Sequence, residues 1–99
     1  MKITKNQEGN RLTVSLDGRL DAVTIPKFDS ELKGGLDGVD ELIVDCSNLE
    51  YISSAGLRTL LSVQRILTAK NGSMKLTNVN EIVREVLDVT GLLTVLTIE

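Results

Sequence analysis

The chain has 99 residues, 41% of them apolar and 25% charged, with a net charge of −3, which suits one soluble globular domain over residues 1–99 with a modest core of Leu, Ile and Val. Only Phe28 and Tyr51 are aromatic and the basic residues are dispersed, so direct nucleic-acid binding is not expected; no apolar run is long enough for membrane insertion, and the first ten residues lack a signal-peptide core. The absence of histidine and the single Cys46 exclude a histidine base, a phosphohistidine relay, an internal disulfide and a structural zinc site, imply no cofactor, and fit a reducing cytoplasm.

In chain order, Ile3 to about Gln7 reads as a weak strand, and Glu8-Gly9-Asn10 as a turn. Leu12, Val14 and Leu16 alternate with polar residues, which predicts a strand covered on one face and a hairpin with the first; Asp17-Gly18 is its expected end. Thr24 is the expected N-cap of a helix with Pro26 in its first turn and Ile25, Phe28, Leu32 and Leu36 on one face, closed by Gly34-Gly35 and Gly38. The run Leu42-Ile43-Val44 predicts a strand buried on both faces and ending at Asp45-Cys46-Ser47-Asn48.

A second helix is expected from Ser53 or Ser54, with Leu57, Leu60, Leu61, Val63 and Leu67 inward, ending at Lys70-Asn71-Gly72. Ser73 to Thr77 follows as a strand with Met74 and Leu76 inward. Asn80 caps a third helix whose apolar stripe is Ile82, Val83, Val86 and Leu87, with Gly91 at its C′ position. Leu93, Val95, Leu96 and Ile98 close the chain as a strand or irregular tail. The order β-β-α-β-α-β-α-β implies an α/β fold: a mixed, mostly parallel sheet with an antiparallel edge strand and helices packed on it. Sites in such sheets gather at the carboxyl ends of strands, where this reading places Asp21, Asp45, Ser53 and Ser54.

Ser53-Ser54-Ala55-Gly56 opens the second helix. The plain reading of the serines is capping, since a serine oxygen accepts a free first-turn N–H. The sharper reading is a phosphate acceptor, because a helix N-terminus tolerates a phosphate while the added charge changes the surface. A nucleophilic serine fits less well, with nothing to activate it. Gly56 serves either tight helix-on-sheet packing or close approach of a ligand. Asp21 either contacts a partner or closes an Asx-turn; Asp45 reads as a loop cap, and Arg58 as an exposed side chain available to a partner.

Three segments together resemble the STAS domain of anti-sigma-factor antagonists: Gly18-Arg19-Leu20-Asp21 with Thr24, Leu42 through Leu49 followed by Ile52-Ser53-Ser54-Ala55-Gly56-Leu57, and Val86-Leu87-Asp88-Val89-Thr90-Gly91-Leu92. The resemblance implies a bacterial partner-switching protein in transcription regulation. Unphosphorylated, it binds an anti-sigma factor that is also a serine kinase and so frees a sigma factor. The kinase inactivates it with ATP, and a metal-dependent serine phosphatase restores it. The acceptor falls on Ser54, with Asp21, Ser53, Gly56 and Arg58 in the partner surface. Ser53 stands where the family has an acid and Ala55 where it has a hydroxyl, so Ser53 is a competing acceptor. The alternative is a non-switching STAS subunit of a lipid- or anion-transport or stress-signalling complex. A receiver phosphorylated on Asp45 is a further class, but it lacks the acid pair after the first strand that would hold Mg²⁺. No acid, base and nucleophile assemble an enzyme.

Overall fold

The computed structural model describes residues 1–32 and 35–99. Its elements are β1 (Lys2–Glu8), β2 (Arg11–Leu20), α1 (Ile25–Leu32), β3 (Glu41–Ile52), α2 (Ser54–Ala69), β4 (Ser73–Thr77), α3 (Glu81–Val89), a 3-10 turn (Leu92–Thr94) and β5 (Thr97–Ile98). The five strands form one sheet in sequence order; β1 is antiparallel to β2, and all other neighbours are parallel. The fold is thus the mixed, mostly parallel α/β sheet expected.

Parallel strands laid down in sequence order send each crossover helix to the same side. Leu12, Val14 and Leu16 of β2, Leu42 and Val44 of β3, and Met74 and Leu76 of β4 share one buried core with Phe28 and Leu32 of α1, Leu57, Leu60, Val63 and Leu67 of α2, and Val83 and Leu87 of α3. The alternate residues Thr13, Ser15, Ile43, Asp45 and Lys75 are only half-buried. Ile43 therefore corrects the expectation of a strand buried on both faces. Strand order never reverses, so the described strands have no switch-point crevice of the kind that holds nucleotides.

The largest correction concerns strand length. Neither Asp17-Gly18 nor Asp45–Asn48 ends its strand: β2 continues to Leu20 and β3 to Ile52. The β2–β3 ladder skips register twice, between Ser15 and Asp17 and between Gly18 and Arg19, each time with an extra residue on β3. Those shifts move the inward positions of β3 from Leu42, Val44 and Cys46 to Leu49 and then Ile52, which breaks the simple alternation on which a sequence reading depends.

The helix starts are mostly as expected. Ser53 caps α2 and Asn80 caps α3, each side chain accepting an N–H three residues on, from Gly56 and Val83 respectively. Gly91 follows the C-cap Thr90 in the left-handed region, as a C′ residue should. Thr24 stands at the N-cap position of α1, its carbonyl accepting the Phe28 N–H at 3.1 Å, but its hydroxyl donates to the Arg19 carbonyl; Asp21 closes the turn before the helix, its Oδ1 accepting from Val23 and Thr24 N–H at 3.0 and 3.2 Å. Leu36 lies beyond the helix yet is buried, and the expected stop at Gly34-Gly35 falls partly on residues outside those described. On α3, Ile82 is exposed rather than part of the buried stripe. The tail resolves into the 3-10 turn, with Leu96 buried, and the short strand β5.

Candidate functional site

The extended ends of β2 and β3 place the site. Leu20 and Ile52 are register partners, so Asp21 and Ser53 leave the sheet side by side. The Ser53 N–H donates to the Leu20 carbonyl at 2.9 Å. Gly56 lies over that same carbonyl: a Cβ built there would stand 2.7 Å from the Leu20 oxygen and 3.0 Å from Ile52 Cγ1. The side-chain-free position lets the first turn of α2 sit on the end of β2, so of the two readings of Gly56 the geometry supports close packing. Without it, Asp21 and the serines would be held further apart.

Ser53 Oγ accepts the Gly56 N–H at 3.1 Å. Ser54 is the first residue of α2 and is exposed, and the first turn contains no acidic residue. The positive end of the helix dipole is therefore not offset by a neighbouring carboxylate within that turn. Among the described residues no side chain hydrogen-bonds the Ser54 hydroxyl. The Cys46 thiol offers no alternative nucleophile: burial, helped by the adjacent Asp45 charge, pushes its pKa up to about 12, so it stays protonated near neutrality.

Asp21 is braced from several directions. Beyond the two bonds that close its turn, its own N–H donates to Thr24 Oγ1 at 3.0 Å, and Thr24 Oγ1 donates to the Arg19 carbonyl at 2.7 Å. Arg19 Nε stands 3.6 Å from Asp21 Oδ2, and the guanidinium lies over the Tyr51 ring, 4.6 Å from its centre. Desolvation works to raise the Asp21 pKa, but the Thr24 and Val23 N–H groups and the Arg19 charge outweigh it and hold the carboxyl below its ordinary value. The result is an ionised, oriented carboxylate on a rigid turn. Val23, at the tip of that turn, is 86% exposed.

Arg58 lies one turn into α2, exposed, and with Ser54, Leu57, Leu61, Thr90 and Leu92 it lines a shallow hollow of about 390 Å³. Asp45 does not join the site. It sits mid-strand on the face away from the helices, roughly 20 Å of strand before Ile52, where Asn78 and Ser15 donate to its carboxylate at 3.0 and 3.3 Å. Asn78 foremost, then Ser47, whose N–H donates at 3.1 Å, and Ser15 hold its pKa down against some desolvation. Held by a donor from either side, this half-buried carboxylate is a brace on the open face of the sheet, and no group of three metal-ligating side chains occurs among the described residues. Nothing in the local sequence marks Arg19 or Val23 as a site residue. Tyr51 carried a usable signal, as one of two aromatics and a near neighbour of the serines; the Arg19–Tyr51 pairing depends on a register shift that no local pattern reveals.

A family model described as "Mlab, STAS domain" matches residues 3–97. The BtrV protein of Bordetella bronchiseptica is 32% identical over 96 residues, covering 96% of this chain and 83% of that one. The anti-sigma-B factor antagonist of Bacillus subtilis is 24% identical over 92 residues, covering 93% and 84%. In three dimensions, the structure of the anti-sigma factor antagonist SpoIIAA in its unphosphorylated form matches with a TM-score of 0.86 at 21% identity, over 99% of this chain and 88% of that one; at that identity the likeness shows the fold.

Proposed function

This chain belongs to the STAS-domain family, and from that premise we propose that it is an anti-sigma-factor antagonist switched by phosphorylation of Ser54. Unphosphorylated, it sequesters an anti-sigma factor with serine kinase activity; phosphorylated with ATP, it lets that partner go, and a metal-dependent serine phosphatase resets it. One observation carries the reading: Ser54 is an exposed hydroxyl at the first position of α2, while the neighbouring serine alone does the capping. A phosphate there adds about −1.5 to −2 charges at a helix end that stabilises anions. The fold is spared and the surface is changed. Asp21 and Val23 on the adjoining turn and Arg58 on the next turn of α2 complete the contact surface around it.

Relatives named as anti-sigma factor antagonists support the binding role. The test is binding of the cognate anti-sigma kinase by calorimetry. Ser54→Ala should bind as the native chain does and stay bound when ATP is added. Ser54→Asp should fold normally and bind at least tenfold more weakly, since a like-charge or desolvated carboxylate in such a contact costs several kcal/mol. Equal affinity of the native and Ser54→Asp chains would overturn the switch. It would favour the second reading, a non-switching subunit of a transport or signalling complex, for which Ser53 and Ala55 in place of the family's flanking residues also speak.

A further inference from the structure

The outer face of α2 carries a feature that the switch alone does not use. The hollow beside Ser54 is followed along the helix by a second one of about 380 Å³, lined by Gln64, Arg65, Thr68 and Val95, and Leu61 lines both. The two adjoin at Leu61 and together make a groove along α2, facing Thr90, Leu92 and Val95, with Gln64 Nε2 donating to the Val95 carbonyl across the second hollow at 3.4 Å. Seven residues separate Arg58 from Arg65, which sets them on one face of the helix about 10.5 Å apart along its axis. Both are exposed, and neither forms an ion pair with any described carboxylate. No acidic residue lines either hollow, although the chain as a whole carries −3. The groove is therefore a local basic exception, with Leu61 between two guanidiniums and with Leu92 and Val95 along its far wall.

We propose that this groove receives an acidic, amphipathic segment of the anti-sigma kinase, with two carboxylates spaced about 10 Å to meet Arg58 and Arg65 and apolar side chains between them on Leu61; this rests on the antagonist reading above. The groove also gives the switch a second action. Ser54 and Arg58 are four residues apart, neighbours on the helix surface, and both line the first hollow. A phosphate on Ser54 takes the Arg58 guanidinium for itself, so the partner's carboxylate loses its counter-charge as well as meeting a new anion.

The test uses Arg65→Glu, three turns from Ser54 and outside the switch, against Arg84→Glu on α3 as a control of equal charge change at an exposed position off the groove. The probe is the anti-sigma kinase of the same genome. Arg65→Glu should weaken capture at least tenfold at low salt, chiefly through slower association, and the deficit should shrink toward that of Arg84→Glu at high salt. Arg65→Lys should restore most of the affinity. If the native chain binds and Arg65→Glu matches Arg84→Glu at every salt concentration, the groove is not the docking surface and the antagonist reading stands. If the native chain captures no kinase at all, the antagonist reading fails, and the proposed occupant with it.

Discussion

Gly56→Ala tests how the site is assembled. In an ordinary helix this change stabilises by about 0.5–1 kcal/mol, because alanine loses less backbone entropy than glycine. Here the added methyl would stand 2.7 Å from the Leu20 carbonyl oxygen, where ordinary contact begins at about 3.4 Å, with Ile52 Cγ1 and Leu20 Cγ almost as close. A backbone carbonyl cannot swing aside as a side chain can, so the start of α2 has to lift by several tenths of an ångström. Overpacking of this kind costs about 1–3 kcal/mol. The lift also stretches the 2.9 Å bond from Ser53 N–H to the same carbonyl, forfeiting some of a contribution of about 0.5–1.5 kcal/mol. Set against the propensity gain, the net loss is about 1–3 kcal/mol. Urea unfolding followed by circular dichroism measures it: the midpoint should fall by about 0.5–2 M with an unchanged slope. Affinity for the kinase should fall too, since Asp21 and Ser54 move apart. A midpoint equal to or above that of the native chain would refute the close packing of α2 on β2.

Three further outcomes follow from the same structure. Ser53→Ala removes the α2 cap and should cost about 0.5–2 kcal/mol in urea unfolding, while leaving Ser54 as the residue modified by the kinase. Cys46, with its pKa pushed up to about 12 by burial, should resist iodoacetamide at pH 8 in the folded chain and react at once in denaturant; quick labelling without unfolding would contradict its burial. Asn78→Gly removes the leading donor to Asp45 and tolerates the left-handed backbone at that position. Because the folded pKa of Asp45 lies below its unfolded value, its contribution is present above the unfolded pKa and lost as pH falls through the folded one. Carboxyl carbon NMR should show Asp45 titrating at a higher pH in Asn78→Gly, with acid unfolding beginning correspondingly earlier.

Much of this was readable in the chain because local signals agreed with one another. Ser53 and Asn80 announce helix starts by side-chain chemistry alone, and β4 is bounded by a turn on one side and a cap on the other. Failures came where tertiary geometry overrode a local rule. Asp17-Gly18 looks like a stop, yet parallel pairing with β3 carries β2 on to Leu20. Asp45 looks like a loop residue at a strand end, yet β3 absorbs two extra residues beyond it and runs on to Ile52, while plain alternation with Val44 and Cys46 sets Asp45 on the open face. Thr24 does stand at the N-cap position of α1, but its hydroxyl turns back to the Arg19 carbonyl, tying the helix start to the end of β2 in a way that no local pattern reveals. The serine pair itself was legible as a helix start; the division of work between Ser53 and Ser54 required the hydrogen bond from Gly56.

In the proposed switch, Ser53 holds the helix and Ser54 carries the signal. Incubating the chain with its cognate anti-sigma kinase and ATP, then mapping the phosphate by mass spectrometry while following the complex by size-exclusion chromatography, tests it in one measurement. A single phosphate on Ser54 is expected, with the complex dissociating in step with its appearance. A phosphate on Ser53, or a complex that persists once Ser54 is fully phosphorylated, would contradict it.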